Sequence, residues 1–99
     1  DKNFIIIDAA MNNLIRPTLY DAYHKIETVK NKKGQAILVD IVGPICETGD
    51  FIALNRELVK VLSDDLLAIR TTGAYASVMR SNYNSRVDAL EILIFNGKS

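Results

Sequence analysis

The sequence has little to build a metal or disulfide site from, since it holds one cysteine and one histidine. One cysteine excludes an internal disulfide and a cysteine-based zinc site, and the lone histidine leaves few ligands for another transition metal. A reducing, cytoplasmic setting fits such a chain best. No apolar run approaches the ~20 residues of a membrane span, and no signal-like segment precedes the first predicted strand, so we expect a soluble protein.

The sequence also lacks net charge, because 12 basic residues balance 12 acidic ones. It therefore has no field strong enough to predict a nucleic acid or an anionic membrane as its partner. The one basic cluster, from Lys30 to Lys33, contains no aromatic residue for base stacking and is typical of a solvated turn. Hydrophobic residues make up 48% of the chain and charged residues 24%, which indicates a folded globular domain rather than a disordered one.

Short β-branched runs predict several strands. Phe4 to Ile7 is typical of a strand buried on both faces, and Leu66 to Ile69 predicts another buried strand. The runs Ala22 to Val29 and Ala36 to Val42 lie on either side of turn residues and predict a hairpin. A last strand is predicted from Leu90 to Phe95.

Two short helices are predicted between these strands. Pro17 suits the first turn of a helix, so we expect a single turn that places Arg16 and Tyr20 on one face. Ala74 to Met79 predicts the second helix. Phe51 to Leu62 has ambiguous spacing and is expected to be irregular, with at most one turn of helix.

The order of these elements predicts a mainly β fold, either a sandwich or an open Greek-key-like barrel with one or two short helices. His24 falls in a predicted strand and is assigned to its surface. The chain shows no strand-helix alternation and no phosphate-binding glycine fingerprint, so we expect no nucleotide fold. Residues 1–99 make one domain, and the apolar runs close to both ends lead us to expect a piece of a larger protein.

Potentially reactive side chains are concentrated in the stretch from Val42 to Phe51 (Val-Gly-Pro-Ile-Cys-Glu-Thr-Gly-Asp-Phe). It follows an apolar strand and places the only thiol, Cys46, directly beside Glu47, with glycine on both sides. Reactive groups are often held on such loops by a rigid strand. Taken alone, a single cysteine is more often a small buried hydrophobe. We predict that Asp50 fixes the loop by accepting hydrogen bonds from nearby backbone N–H groups.

Four stretches, in the same order, resemble the carboxy-terminal domain of the diaminopimelate decarboxylases. They are Asp-Ala-Ala-Met-Asn-Asn-Leu-Ile-Arg-Pro-Thr-Leu-Tyr (8–20), Val-Gly-Pro-Ile-Cys-Glu-Thr-Gly-Asp (42–50), Gly-Ala-Tyr (73–75) and Ser-Asn-Tyr-Asn-Ser-Arg (81–86). The likeness extends over essentially the whole chain, and the cysteine motif together with the arginine-tyrosine motif is highly specific. The sequence departs from the family pattern at Ala10, where we expect glycine, and at Val87, where we expect proline.

The resemblance implies an enzyme that uses pyridoxal 5'-phosphate, in which an alanine-racemase-like barrel precedes this β domain. Residues 1–99 would then be the single C-terminal domain, without the barrel that supplies the Schiff-base lysine and most of the phosphate site. It also implies a head-to-tail homodimer with an active site shared between subunits. The implied reaction of lysine biosynthesis converts meso-diaminopimelate to L-lysine and carbon dioxide, and the chain alone is expected to be inactive.

The resemblance assigns roles to five residues. Cys46 falls on the family's proton donor, which suits a thiol because its reference pKa of about 8.5 keeps it mostly protonated at neutral pH. Glu47 matches the ligand of the substrate's distal ammonium. Arg16 and Tyr20 match the ligands of its distal carboxylate, which a guanidinium can bind bidentately. Tyr75 matches the tyrosine that reaches the cofactor phosphate and the substrate.

Each of these residues also has an ordinary structural interpretation that involves no catalysis or binding. Arg16 alone is typical of an ordinary surface arginine, and Tyr20 and Tyr75 are typical of core aromatics. Asn82, Tyr83 and Asn84 are expected to order their loop and the dimer contact.

Two alternative functions stay open. The first is a related decarboxylase of the same architecture that acts on ornithine, arginine or carboxynorspermidine. A substrate without a distal carboxylate gives Arg16 no reason to pair with Tyr20, so the pair favours diaminopimelate. The second is a non-catalytic β-domain interaction module.

Overall fold

A computed structural model describes residues 2–45 and 47–97. This part of the chain is mainly strand with two short helices and does not close into a barrel, which confirms the predicted fold class. The elements are β1 (Asn3–Ile6), α1 (Arg16–Tyr20), β2 (Ile26–Thr28), β3 (Ala36–Val42), β4 (Phe51–Val59), β5 (Leu67–Ile69), α2 (Gly73–Met79) and a 3-10 turn (Tyr83–Ser85). No helix within these residues is long and apolar enough to cross a membrane.

The larger sheet has three strands in the order β1-β3-β4, and β3 lies at its centre. Strand β1 runs parallel to β3, with Asn3 opposite Val39, and β4 runs antiparallel to β3. A parallel pair needs a crossover connection, and here the crossover contains α1 and β2. The central position suits β3 because its apolar run can be covered on both faces.

Strand β4 corrects the expectation that Phe51 to Leu62 is irregular. Its pairing with β3 shifts register twice, because Val39 lies opposite Arg56, Ile41 opposite Ala53 and Val42 opposite Phe51. Each shift adds a residue on the β4 side, as in a β-bulge. These bulges break the alternation of apolar and polar residues, and the segment consequently lacks the pattern that identifies a strand.

The predicted hairpin between Ala22–Val29 and Ala36–Val42 is also wrong. Strand β2 pairs instead with β5, with Ile26 opposite Ile69, and forms a separate two-stranded sheet. Both edges of β3 are already occupied by β1 and β4. The predicted strand at Leu66 to Ile69 is confirmed as β5, but it is half-buried rather than buried, and Leu66 is 69% exposed. Helices α1 and α2 confirm the two predicted helices.

The hydrophobic core joins the two sheets. Ile41 of β3 and Ile52 of β4 are its largest fully buried side chains. The other buried members are Leu14, Ile26, Val39, Ala53 and Leu58. Each large aliphatic side chain of this kind contributes about 1.5 to 3 kcal/mol when fully buried.

His24 belongs to this interior rather than to a strand surface. It is 2% exposed, and its Nδ1 lies 3.0 Å from the carbonyl oxygen of Arg70. Its own carbonyl accepts a hydrogen bond of 2.7 Å from the Arg56 guanidinium. The residue lies just before β2.

Two other strand predictions fail at the ends of the chain. Strand β1 is an edge strand whose Phe4 and Ile6 are 58% and 72% exposed, so it is not buried on both faces. The segment Leu90 to Phe95 forms no strand of either sheet, and Leu90 is 89% exposed. Ile5 and Ile7 of the first segment pack against the core, whereas residues 90–95 are all exposed.

Candidate functional site

Asp50 fastens together the two loops that carry the predicted site. It is 2% exposed, and its Oδ1 accepts a hydrogen bond of 2.8 Å from the Met11 N–H. Its Oδ2 accepts one of 2.6 Å from the Ile45 N–H. A buried carboxylate is stable when both oxygens have donors. The prediction that Asp50 fixes its loop is therefore confirmed, and it also reaches the loop before α1.

Gly43 leaves the space that Asp50 needs. A Cβ atom on Gly43 would lie 2.6 Å from both carboxylate oxygens and 2.8 Å from the Cα of Ala10. Ala10 is fully buried at this contact, so the position where the family pattern expects glycine accepts an alanine here. The glycine required by this close approach is Gly43.

Helix α1 is attached to the far end of the same loop. The Thr18 hydroxyl donates a hydrogen bond to the carbonyl of Gly49. A Cβ on Gly49 would lie 3.2 Å from the Thr18 methyl group, so the helix and the loop approach closely. Pro17 stands in the first turn and Asp21, at φ 54°, ends the helix in the left-handed conformation. The loop and the helix thus form one unit.

Arg16 opens this helix and faces Tyr75 of α2. Its guanidinium carbon lies 5.5 Å from the centre of the Tyr75 ring, within the range of a cation–π interaction. Among residues 2–45 and 47–97, no carboxylate lies within ion-pair distance of Arg16. Tyr75 is 64% exposed and Tyr20, at the other end of α1, is 61% exposed. Neither tyrosine is a core aromatic in this structure.

Glu47 lies on the exposed side of the loop after β3. Its carboxylate accepts a hydrogen bond from the phenol of Tyr83. This bond raises the pKa of Tyr83, because loss of the phenolic proton would break it and place a second negative charge beside Glu47. Sequence reasoning placed Tyr83 in a loop but did not connect it with Glu47, which is 36 positions away.

Cys46, the predicted proton donor, lies outside the described residues. The residues on both sides of it are held by hydrogen bonds. Ile45 is buried and bonded to Asp50, and the Glu47 N–H donates a hydrogen bond of 2.9 Å to the Ile45 carbonyl.

The loop 81–86 packs on the loop before α1 through backbone and amide groups. The Asn12 side-chain amide donates to the Ser81 carbonyl at 3.0 Å, and the Ser81 N–H donates to the Asn12 carbonyl at 2.8 Å. The Arg86 guanidinium donates to the carbonyl of Asp8. These contacts bring Tyr83 to the predicted site. Within the described residues no group of acidic, histidine and cysteine side chains is arranged to hold a metal ion.

The structure therefore assembles two pairs around one loop and one helix, Arg16 with Tyr75 and Glu47 with Tyr83. A family model described as "Pyridoxal-dependent decarboxylase, C-terminal sheet domain" matches residues 1–73. The chain belongs to this family.

Close relatives within this family are diaminopimelate decarboxylases. The chain is 53% identical over 96 residues to a diaminopimelate decarboxylase of Aquifex aeolicus, covering 97% of this chain and 23% of that protein. A crystal structure from the same organism has a TM-score of 0.95 and 52% identity, covering 98% of this chain and 24% of the other.

A crystal structure of diaminopimelate decarboxylase from M. jannaschii, in complex with L-lysine, has a TM-score of 0.78 and 44% identity over 84% of this chain and 19% of the other. The resemblance found in the sequence is confirmed. The chain spans about a quarter of the length of the curated relatives it matches.

Proposed function

We propose that this chain is the C-terminal domain of a diaminopimelate decarboxylase, which converts meso-diaminopimelate to L-lysine and carbon dioxide in lysine biosynthesis. The family match and relatives of that name at 53% identity support it. In the full-length enzyme the cofactor-binding barrel lies outside residues 1–99. We place the enzyme in the cytoplasm as a homodimer whose active site is shared between subunits.

The main observation behind the proposal is the environment of the Arg16 guanidinium. Its guanidinium stacks on Tyr75 and has no carboxylate partner among the described residues. A guanidinium held in this way is available to bind a carboxylate bidentately. Tyr20, exposed at the other end of the same helical turn, can add a hydrogen bond. We assign both to the distal carboxylate of the substrate.

Glu47 is the counterpart for the distal ammonium. It is exposed, and no lysine or arginine within residues 2–45 and 47–97 forms an ion pair with it. With Arg16 it gives the domain one cationic and one anionic ligand, as the distal end of meso-diaminopimelate requires. A substrate such as ornithine would use only the second of them.

The chain's own residues fit a supporting contact to pyridoxal 5'-phosphate rather than the whole cofactor site. The Tyr75 phenol is exposed and makes no hydrogen bond to another described residue, and Arg16 places positive charge beside its ring. A phenol beside a cation suits an anionic phosphate or the substrate carboxylate. When bound, the cofactor accepts the electron pair left on the reacting carbon as carbon dioxide departs.

Cys46 is the group we assign to return a proton to that carbon. A thiol is mostly protonated at neutral pH and can act as a general acid. Ile45 and Glu47 on either side of it are held by the Asp50 carboxylate and by the turn. The thiol of one subunit would serve the cofactor of the other.

The proposal is tested by joining these residues to the remainder of the enzyme and comparing substrates. We expect lysine and carbon dioxide from meso-diaminopimelate, little turnover of ornithine, and no activity of residues 1–99 alone. Turnover of ornithine but not of diaminopimelate would assign the chain to a related decarboxylase. Absence of decarboxylation with any of these substrates would favour a non-catalytic module.

The role of Arg16 is tested in the same enzyme with Arg16→Ala. Leaving the distal carboxylate without its charge partner should cost about 2 to 3 kcal/mol in kcat/KM for meso-diaminopimelate. Arg70→Ala is a matched control, because the Arg70 side chain is 62% exposed and pairs with Glu27 on the surface. Equal losses in the two variants would remove Arg16 from the site.

A further inference from the structure

We infer that Tyr83 is a positioning residue, which holds the Glu47 carboxylate in the orientation that receives the substrate's distal ammonium. This inference rests on the proposed function of Glu47. Tyr83 donates its phenolic hydrogen to the Glu47 carboxylate. Among the described residues it is the one side chain that forms a hydrogen bond or an ion pair with this carboxylate.

The backbone of Glu47 is already fixed without Tyr83. Its N–H donates to the Ile45 carbonyl at 2.9 Å, and its carbonyl accepts from the Asp50 N–H at 3.1 Å. These bonds set where the side chain begins and leave its rotamers free. An exposed glutamate of this kind keeps several rotamers in solution. The phenol therefore selects one of them.

Tyr83 can act in this way because its own position is secured from the interior. It opens the 3-10 turn Tyr83–Ser85, and two hydrogen bonds join the preceding Ser81 to Asn12. Asn12 is 2% exposed. The phenol thus stands on a loop anchored to a buried residue, whereas Glu47 itself is exposed.

The chemistry of the pair leaves room for the ligand. A carboxylate has about four acceptor positions on its two oxygens, and the phenol uses one of them, on Oε1. A phenol is a neutral donor, so it orients the carboxylate without neutralising the charge that an ammonium needs. A lysine or arginine at the same place would compete with the ligand for that charge.

The test is a comparison of two ligands in the full-length enzyme. Tyr83→Phe should raise KM for meso-diaminopimelate roughly tenfold, the size expected for one hydrogen bond to a charged group, and should leave kcat nearly unchanged. The inhibition constant of 2-aminopimelate should not change, because this analogue keeps both carboxylates and lacks the distal ammonium. Tyr23→Phe is the matched control, since its exposed ring lies against Arg56.

A double variant distinguishes positioning from a general structural role. If Tyr83 acts through Glu47, Tyr83→Phe in a Glu47→Ala background, which has no acceptor for the phenol, should have no further effect on KM. Additive effects, or equal weakening of both ligands by Tyr83→Phe, would overturn the inference.

One readout does not depend on decarboxylase activity. The Tyr83 phenol, identified by its loss in Tyr83→Phe, should titrate at a lower pH in Glu47→Ala than in the parent protein, since the hydrogen bond to Glu47 is the main cause of the raised pKa of Tyr83. An unchanged titration would show that the pair does not exist in solution and would overturn the inference. A protein that shows the shifted titration but does not bind diaminopimelate would refute the proposed function and leave the pairing standing.

Discussion

The loop after β3 has an inner side and an outer side, and each carries one carboxylate. On the inner side Asp50 is 2% exposed and accepts two backbone hydrogen bonds. On the outer side Glu47, three positions earlier, is exposed and accepts one hydrogen bond from a phenol. The first carboxylate uses both of its oxygens within the fold. The second keeps an oxygen for an external ligand.

This difference separates residues that build the site from residues that can bind a substrate. A buried group whose hydrogen bonds are all made stabilises the fold and offers nothing to solvent. An exposed group held in one orientation adds little to stability and is available for recognition. Substitutions on the inner side should therefore change folding, and substitutions on the outer side should change ligand binding.

Asp50→Asn should have the largest effect on stability. The asparagine carbonyl can replace one carboxylate oxygen, but its NH2 group would then face the second backbone N–H, of Met11 or Ile45. One buried donor without an acceptor costs about 2 to 3 kcal/mol. Urea unfolding should show this loss against Glu57→Gln, a matched charge removal at an exposed position of β4. Equal stability of the two variants would contradict a structural role for the two hydrogen bonds of Asp50.

Gly43→Ala should have the next largest effect. Its new methyl group would lie 2.6 Å from the Asp50 oxygens and 2.8 Å from the Ala10 backbone, so the loops must separate. We expect a loss of about 1 to 3 kcal/mol in the free energy of unfolding. Gly49→Ala is the graded control, since its closest contact of 3.2 Å is to the Thr18 side chain. A larger loss of unfolding free energy for Gly49→Ala than for Gly43→Ala would show that the closest approach between the loops is not at Gly43.

The parts of the fold that depend on local chemistry could be predicted from the sequence. Pro17 predicts the turn of α1 because its fixed φ suits the start of a helix. The role of Asp50 followed from the tendency of a short acidic side chain to accept nearby N–H groups. The loop residues Gly43 and Gly49 could be recognised as breaks, although the groups that approach them could not.

The parts that depend on distant partners could not be predicted. Strand β4 contains Asn55 at φ 49°, whose N–H is accepted by the buried carboxylate of Asp40, and this bulge removes the alternation that identifies a strand. The pairing of β2 with β5 joins segments about 40 positions apart, with Ile26 opposite Ile69. Nothing in either segment alone specifies its partner. The Tyr83–Glu47 hydrogen bond could not be predicted either, because its partners are 36 positions apart in the sequence.

Asp65 lies in the turn between β4 and β5, and its half-buried carboxylate is intermediate between the buried Asp50 and the exposed Glu47. It accepts a hydrogen bond of 2.7 Å from the Leu62 N–H and forms an ion pair of 2.5 Å with Lys32, and these donors hold its pKa below the ordinary value of 3.8. Because the folded pKa is lowered, the charged group stabilises the fold above pH 3.8. This contribution is lost as the pH falls through the folded pKa.

Thermal unfolding between pH 7 and pH 2 checks the role of Asp65. Asp65→Asn should lower the melting temperature at neutral pH and should lose part of the parent's acid sensitivity, so that the two proteins approach each other at low pH. Glu57→Gln, at an exposed position of β4, is the control. A constant difference between Asp65→Asn and the parent at every pH would show that the effect is not one of charge.

Glu47→Gln should have the smallest effect on stability and the clearest effect on function. The amide can still accept the Tyr83 phenol through its carbonyl oxygen, and an exposed substitution of this kind changes the free energy of unfolding by no more than about 0.5 kcal/mol. The lost negative charge nevertheless removes the partner of the distal ammonium, so binding of meso-diaminopimelate should weaken in the full-length enzyme while urea unfolding matches the parent. Asp50→Asn should show the reverse order of effects. If Glu47→Gln unfolds as readily as Asp50→Asn, the outer carboxylate is part of the scaffold, and the division of this loop into a structural side and a ligand-binding side fails.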